Sequence, residues 1–155
     1  MKALKLILFI FFVCFAEVVS AQISITKNTD MSFGNIAVSN SGGTVILDPD
    51  GSRTRTGGVT LPGIAGTITA ASFTVSGGAN LTYAIILPSD CTISSGGNNM
   101  TIDTFTSSPS GTGALSGATP GTQTLNVGAT LRISGSQASG TYTCGVPFTI
   151  TVNYN

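Results

Sequence analysis

Histidine and tryptophan are both absent from this 155-residue chain, and its one glutamate is Glu17. Without histidine, the Ser–His–Asp and Cys–His arrangements that activate a nucleophile cannot be built, and most zinc sites lose their usual ligand. The carboxylates beyond residue 21 are Asp30, Asp48, Asp50, Asp90 and Asp103. Two of them could in principle form an acid/base pair for glycoside hydrolysis. With no tryptophan to stack on a sugar, turns and strand ends are the plainer setting for them. Charged residues of both signs make up only 8% of the chain, and no basic patch of the kind that tracks a phosphate backbone is present. No Lys/Glu-rich amphipathic stretch is seen, so helices are not expected. These absences predict a non-enzymatic protein with no cofactor, no metal and no nucleic-acid partner.

What is present begins with an export signal over residues 1–21. Lys2 and Lys5 form a positive start, Leu6 to Phe15 is an unbroken apolar run, and Val19-Ser20-Ala21 supplies small residues for cleavage between Ala21 and Gln22. The run is shorter than the roughly 20 residues a bilayer span needs. No membrane segment is therefore expected after cleavage. Cys14 sits between the bulky Val13 and Phe15, where lipoprotein processing favours small residues. Residues 22–155 are then read as a single domain, large enough to close one core. Four cations against five carboxylates leave that part with a net charge of −1. Ser, Thr and Asn must provide its wet surface.

Two cysteines follow the signal, Cys91 and Cys144. In an exported chain such a pair reads as a disulfide, with two free buried thiols as the alternative. A bridge closing a loop of this length would stabilise the fold by about 4 kcal/mol in the chain-entropy description.

Short alternating or β-branched runs recur between Gly, Ser, Asn and Pro clusters. Strands are predicted near residues 23–26, 31–38, 44–47, 58–61, 66–75, 81–87, 100–105, 124–134 and 141–154. This spacing indicates an all-β sandwich or barrel. Asp48-Pro49-Asp50-Gly51 has the residues of a tight turn. It also has a faint likeness to the start of a calcium loop, but the further ligands and the closing glutamate are missing. The apolar register changes parity at Ala70–Ala71, which suggests a bulge or a change of sheet. Residues 107–121 read as a long surface loop, and residues 135–140 as the turn of a terminal hairpin joining strand 124–134 to the last strand. Arg53 and Arg55 share one side of an extended segment, either as a solvated face or as contacts to an acidic partner. Asn80-Leu81-Thr82 and Asn99-Met100-Thr101 match the glycosylation triplet, a pattern common by chance in such a composition.

The last fourteen residues carry the sharpest signal. Tyr142, Cys144, Val146, Phe148, Ile150, Val152 and Tyr154 alternate with Thr141, Thr143, Gly145, Pro147, Thr149, Thr151 and Asn153. Successive side chains of a strand point to opposite faces, so one face is predicted buried and the other wet. An open alternating edge invites pairing with other chains, so a cover is required. Pro147 has no N–H to donate, so the strand must break at 145–147 or lack a partner there.

Met31-Ser32-Phe33-Gly34-Asn35-Ile36, Leu125-Asn126-Val127-Gly128-Ala129-Thr130-Leu131 and Gly140–Thr143 running into Phe148–Asn155 resemble a family of exported bacterial proteins known as a domain of unknown function. The C-terminal part is also similar to the spore coat protein U domain of archaic chaperone–usher pilins. The resemblance implies an immunoglobulin-like antiparallel sandwich and a fimbrial or adhesive role in the periplasm, at the cell surface or outside the cell. It further implies a periplasmic chaperone and like subunits as partners, and Phe148, Ile150, Val152 and Tyr154 as the edge to which a donor strand is added. The N-terminus departs from that pattern. Ile23 and Ile25 alternate, but Lys27 interrupts the register, so residues 23–33 could instead pair within their own sandwich. Two readings stay open: a structural or adhesive subunit assembled by strand addition, and a self-complete monomer binding a surface glycan or protein through loops such as 107–121.

Overall fold

The computed structural model describes residues 22–155. The proposed signal and the Ala21–Gln22 cleavage site lie outside or at the very limit of that range. Thirteen strands follow one another: β1 (Ser24–Thr29), β2 (Ser32–Phe33), β3 (Ala37–Leu47), β4 (Arg53–Thr60), β5 (Ile68–Thr69), β6 (Ala71–Gly77), β7 (Thr82–Ile86), β8 (Asp90–Ser95), β9 (Asn98–Ser108), β10 (Thr112–Ala114), β11 (Gly121–Ile133), β12 (Thr143–Cys144) and β13 (Thr151–Tyr154). All pairings are antiparallel, and the curled sheets pack as an immunoglobulin-like sandwich.

The longest strand, β11, organises the large sheet. One of its edges pairs with β6 over Gly121–Val127 and then with β3 over Ala129–Ile133, while β9 lies along the other edge. The sheet therefore forks, with β6 and β1 on one branch and β3 and β4 on the other. Gly128 stands at the fork, where a Cβ would fall on the Leu47 carbonyl, so the branch point needs a residue without a side chain. The two-stranded pair of β2 with β5 joins the segments that lead into the branches. A smaller sheet, in the order β10-β7-β13, covers the first branch.

Two cores result from this fork. The first gathers Phe33, Val45, Leu47, Val59, Cys91, Ile93, Ile102, Ala129, Leu131 and Ile133. The second gathers Ala71, Val75, Tyr83, Leu115, Leu125, Val127, Ile150 and Val152 between the two sheets. Met31, Phe105 and Phe148 touch both, and the Phe105 and Phe148 rings meet at 5.2 Å between centroids, tilted at 52°. Such tilted pairs add to simple burial.

The wet side of the large sheet is built from hydroxyls. Register places Ser24, Ser76 and Thr122 in one row and Thr26, Thr74 and Thr124 in the next. Farther along, Thr44 and Thr56 hydrogen-bond each other at 2.7 Å. These groups hydrate the surface where charge is scarce.

Several sequence expectations are met. The Asp48–Gly51 turn closes with Gly51 N–H donating to the Asp48 carbonyl at 2.9 Å. The parity change at Ala70 is the passage from β5, in the two-stranded pair, to β6, in the large sheet. Other expectations are corrected. The segment 31–38 divides into β2 and the start of β3, because Gly34 takes a positive φ of 68° between them. β8 was not foreseen, since Ser and Thr fill its wet side. Residues 107–121 are no long loop: they complete β9 and contain β10. The terminal hairpin does not form, because both edges of β11 are already taken and β13 pairs with β7 in the other sheet.

Leu125 is fully buried whereas Ile64 is 83% exposed. Leu125→Ala is expected to lower unfolding stability by about 3 kcal/mol, and Ile64→Ala to change it by less than about 0.5 kcal/mol. Gly128→Ala should destabilise without removing any apolar group. Urea melts of the three variants check this.

Candidate functional site

The C-terminal segment breaks where proline forbids a continuous ladder. Thr143 and Cys144 pair with Ser94 and Ile93 of β8, residues 145–150 leave the ladder, and Thr151–Tyr154 pair with β7. Across the break the alternation survives with one exception. Ile150 and Val152 are buried, and Tyr142, Cys144, Phe148 and Tyr154 are half-buried, but Val146 is 81% exposed.

Backbone hydrogen bonds show which way β13 faces. Ile85 N–H donates to the Gly111 carbonyl, on the β10 side of β7. Asn155 N–H donates to the Thr82 carbonyl, on the other side. In an antiparallel pair, alternate residues exchange both of their bonds. Thr151, Asn153 and Asn155 therefore spend their backbone groups on β7, while those of Val152 and Tyr154 point away from it. No strand among the described residues takes them up, since β13 ends the small sheet. The four residues proposed as a strand-addition edge thus divide their roles. The Ile150 and Val152 side chains, with Phe148, are filled in by the protein's own core, and only the backbone of β13 remains open.

Tyr154 anchors that edge to the opposite sheet. Its hydroxyl accepts a hydrogen bond from Gly78 N–H at 2.7 Å, in space left free because Gly77 has no Cβ. Tyr83 does the same from β7: its hydroxyl donates to Gln123 Oε1 at 2.8 Å, and its ring lies where a Cβ on Gly113 would be. Burial pushes the Tyr83 hydroxyl above the ordinary tyrosine range. Residues 23–33 do pair within their own sandwich, as β1 with β6 and β2 with β5. β1 pairs with β6 from Ser24↔Ser76 onward, Ile23 and Ile25 pack on the second core, and Lys27 forms an exposed ion pair with Asp30 at 2.6 Å.

Cys91 and Cys144 are bridged, 53 residues apart, joining β8 to β12. Beside the bridge lies an open depression of about 620 Å³ between residues 88–94 and 145–149, with Asp90, Val146 and Phe148 on its walls. Sequence reasoning missed this place because it depends on β8 meeting the C-terminal segment.

The remaining candidates resolve into local structure. Arg53 Nη1 donates to the Phe33 and Asn35 carbonyls, and Arg55 Nη1 to the Val59 carbonyl at 2.7 Å, so both guanidiniums are engaged within the chain. Asp50 accepts the Ser52 N–H at 2.8 Å, and bonds from Ser52 hold its carboxyl below the usual range. Asp48 accepts the Ser52 hydroxyl at 3.4 Å in the same turn. Asp90 stands opposite Asp103 across the β8–β9 ladder, and Asp103 is ion-paired with Arg132, which holds its carboxyl low. Among the described residues no three acidic or cysteine side chains gather closely enough to hold a metal. Asn99 lies in β9 and Asn80 in a turn at a φ of 59°.

Tyr154→Phe removes the acceptor for Gly78 N–H. It is expected to cost about 1 kcal/mol and to speed hydrogen exchange at Gly78, measured by urea melts and amide exchange.

No curated protein and no solved structure matches the chain significantly. Residues 23–154, nearly the whole of the described chain, match the family described as Domain of unknown function (DUF4402), and the chain belongs to that family.

Proposed function

We propose that this protein is an exported, non-enzymatic structural or adhesive component of the cell surface that takes on partner chains by strand addition along β13. The observation that carries the reading is the outward backbone of Val152 and Tyr154 at the end of a three-stranded sheet. An added strand gains main-chain hydrogen bonds there without any rearrangement of the core. β13 carries no lysine, proline or bulge, the usual protections of an exposed edge. The similarity of Phe148–Asn155 to the spore coat protein U domain supports the same edge, with a periplasmic chaperone and like subunits as partners. β1 belongs to its own sandwich, so the reading assigns it no role as a donor to the next subunit.

A second reading is a self-complete secreted module that binds a surface glycan or protein. Its support is the depression beside the disulfide, with the exposed Val146 on its rim.

Asn153→Lys tests the first reading. Its side chain is exposed, and a charge on an edge strand discourages pairing. In the producing cells, the wild-type chain should be found outside the inner membrane, in complexes larger than itself. The variant should lose those complexes while keeping its melting temperature. Wild-type protein recovered only as a free monomer would overturn strand addition. Purified residues 22–155 should be soluble unaided, and removal of 22–30 should destabilise them by stripping β1 from β6.

A further inference from the structure

β8 is paired along its whole length on one side, from Asp90↔Asp103 to Ser95↔Asn98. On the other side, among the described residues, only Thr143 and Cys144 pair with it, opposite Ser94 and Ile93. Beyond them the chain stands off as residues 145–149, leaving the depression along Asp90, Cys91 and Thr92. A two-residue strand is a slight cover for an alternating edge strand whose Cys91 and Ile93 are buried. The Cys91–Cys144 bridge ties the covering strand directly to the strand it covers, while Tyr142 and Phe148 on either side of it pack on the first core.

We propose that the Cys91–Cys144 disulfide is a redox latch over the β8 edge, and that opening it exposes β8 to pairing with β8 of a second copy of this chain. The latch opens by thiol–disulfide exchange with a dithiol. Two electrons and two protons pass from the dithiol to the bridge, the Cys91–Cys144 S–S bond breaks to leave two thiols, and the reductant leaves as a cyclic disulfide with a new S–S bond of its own. Both cores outlast the opening. The second contains neither cysteine, and the first keeps Val45, Leu47, Val59, Ile93, Ile102, Leu131 and their neighbours.

A second copy fits because the pattern of β8 is self-complementary. An antiparallel pair of β8 strands with Thr92 opposite its own copy sets Cys91 against Ile93 and Asp90 against Ser94. Buried-face residues then meet buried-face residues, and the two Asp90 carboxylates lie at opposite ends. Like charges placed directly opposite would have opposed the pairing. Assembly along β8 is separate from strand addition at β13, which lies in the other sheet.

The test uses residues 22–155 with and without a dithiol reductant, followed by light scattering, amide exchange and the near-ultraviolet signal of the buried Tyr83. The oxidised protein should not self-associate through β8. On reduction of dilute protein, exchange at Ile93–Ser94, the part of β8 that β12 covers, should accelerate roughly tenfold or more, the mass should rise to a dimer with concentration, and the Tyr83 signal should persist. The Cys91→Ala/Cys144→Ala double variant should dimerise without reductant. Thr92→Lys and Thr92→Glu, each alone, should block the reduced dimer by self-repulsion, and their mixture should restore it. Asn153→Lys should leave it intact, which separates this outcome from the behaviour of β13. A reduced protein that stays monomeric with unchanged exchange in β8 overturns the proposal, as does one that unfolds and loses the Tyr83 signal.

Discussion

The alternation of β11 is the constraint on which the rest of the structure depends. Leu125 and Val127 enter the second core, and Ala129, Leu131 and Ile133 enter the first, so one strand supplies the floor of both. Period two is strict in a strand, and a slip of one residue would turn every one of these side chains toward water. The register of β11 against β6, β3 and β9 is therefore held in place from both cores together. The fork at Gly128 follows from the same strand, because two different neighbours share one of its edges. Phe105 and Phe148 close the seam between the cores, so the C-terminal segment is welded in at the point where the halves meet.

That seam explains how the end of the chain can be sealed and open at once. The apolar side chains of Ile150 and Val152 complete an interior, while the outer backbone of β13 meets no strand among the described residues. A strand is covered in two independent senses, by side-chain burial on its faces and by hydrogen bonding along its edges. This sandwich satisfies the first for β13 and, among the described residues, leaves the second unmet on its outer side. β8 shows the opposite arrangement, with an edge that needs covering and a short covalently fastened strand that covers part of it. A small protein with many short strands has many such ends, and each is handled by a different device.

The scarcity of charge is absorbed by the pleat. Hydroxyl side chains on one face of adjoining strands fall into register rows, and Thr44 and Thr56 bond each other there. The few charged groups are put to local use: Arg53 and Arg55 hold backbone carbonyls, Asp48 and Asp50 shape a turn, and Arg132 pairs with Asp103. Ordinary solvation and chain geometry account for them.

Much of this was legible in the residues themselves. Alternation identified β11, β7 and the buried face of the C-terminus, a parity change located the passage between β5 and β6, and the two cysteines announced their bridge. These are local signals, because period two and turn chemistry act over a few neighbouring residues. The partner of each strand was not legible. Adjacent runs separated by the turn at 135–140 read as a hairpin, yet β11 was already flanked on both sides and β13 crossed to the other sheet. β8 and β10 stayed hidden because Ser, Thr and Gly on a wet face look like loop. The candidate site divides in the same way. The sequence alone determined that most of this alternating face, Ile150 and Val152 included, would be buried, since apolar side chains gain by leaving water together; Val146, where the chain leaves the ladder, is the exception. Only the tertiary structure decided which edge of β13 remained free and what covers β8, because a backbone edge is closed by strands distant in the chain, and local sequence carries no record of them.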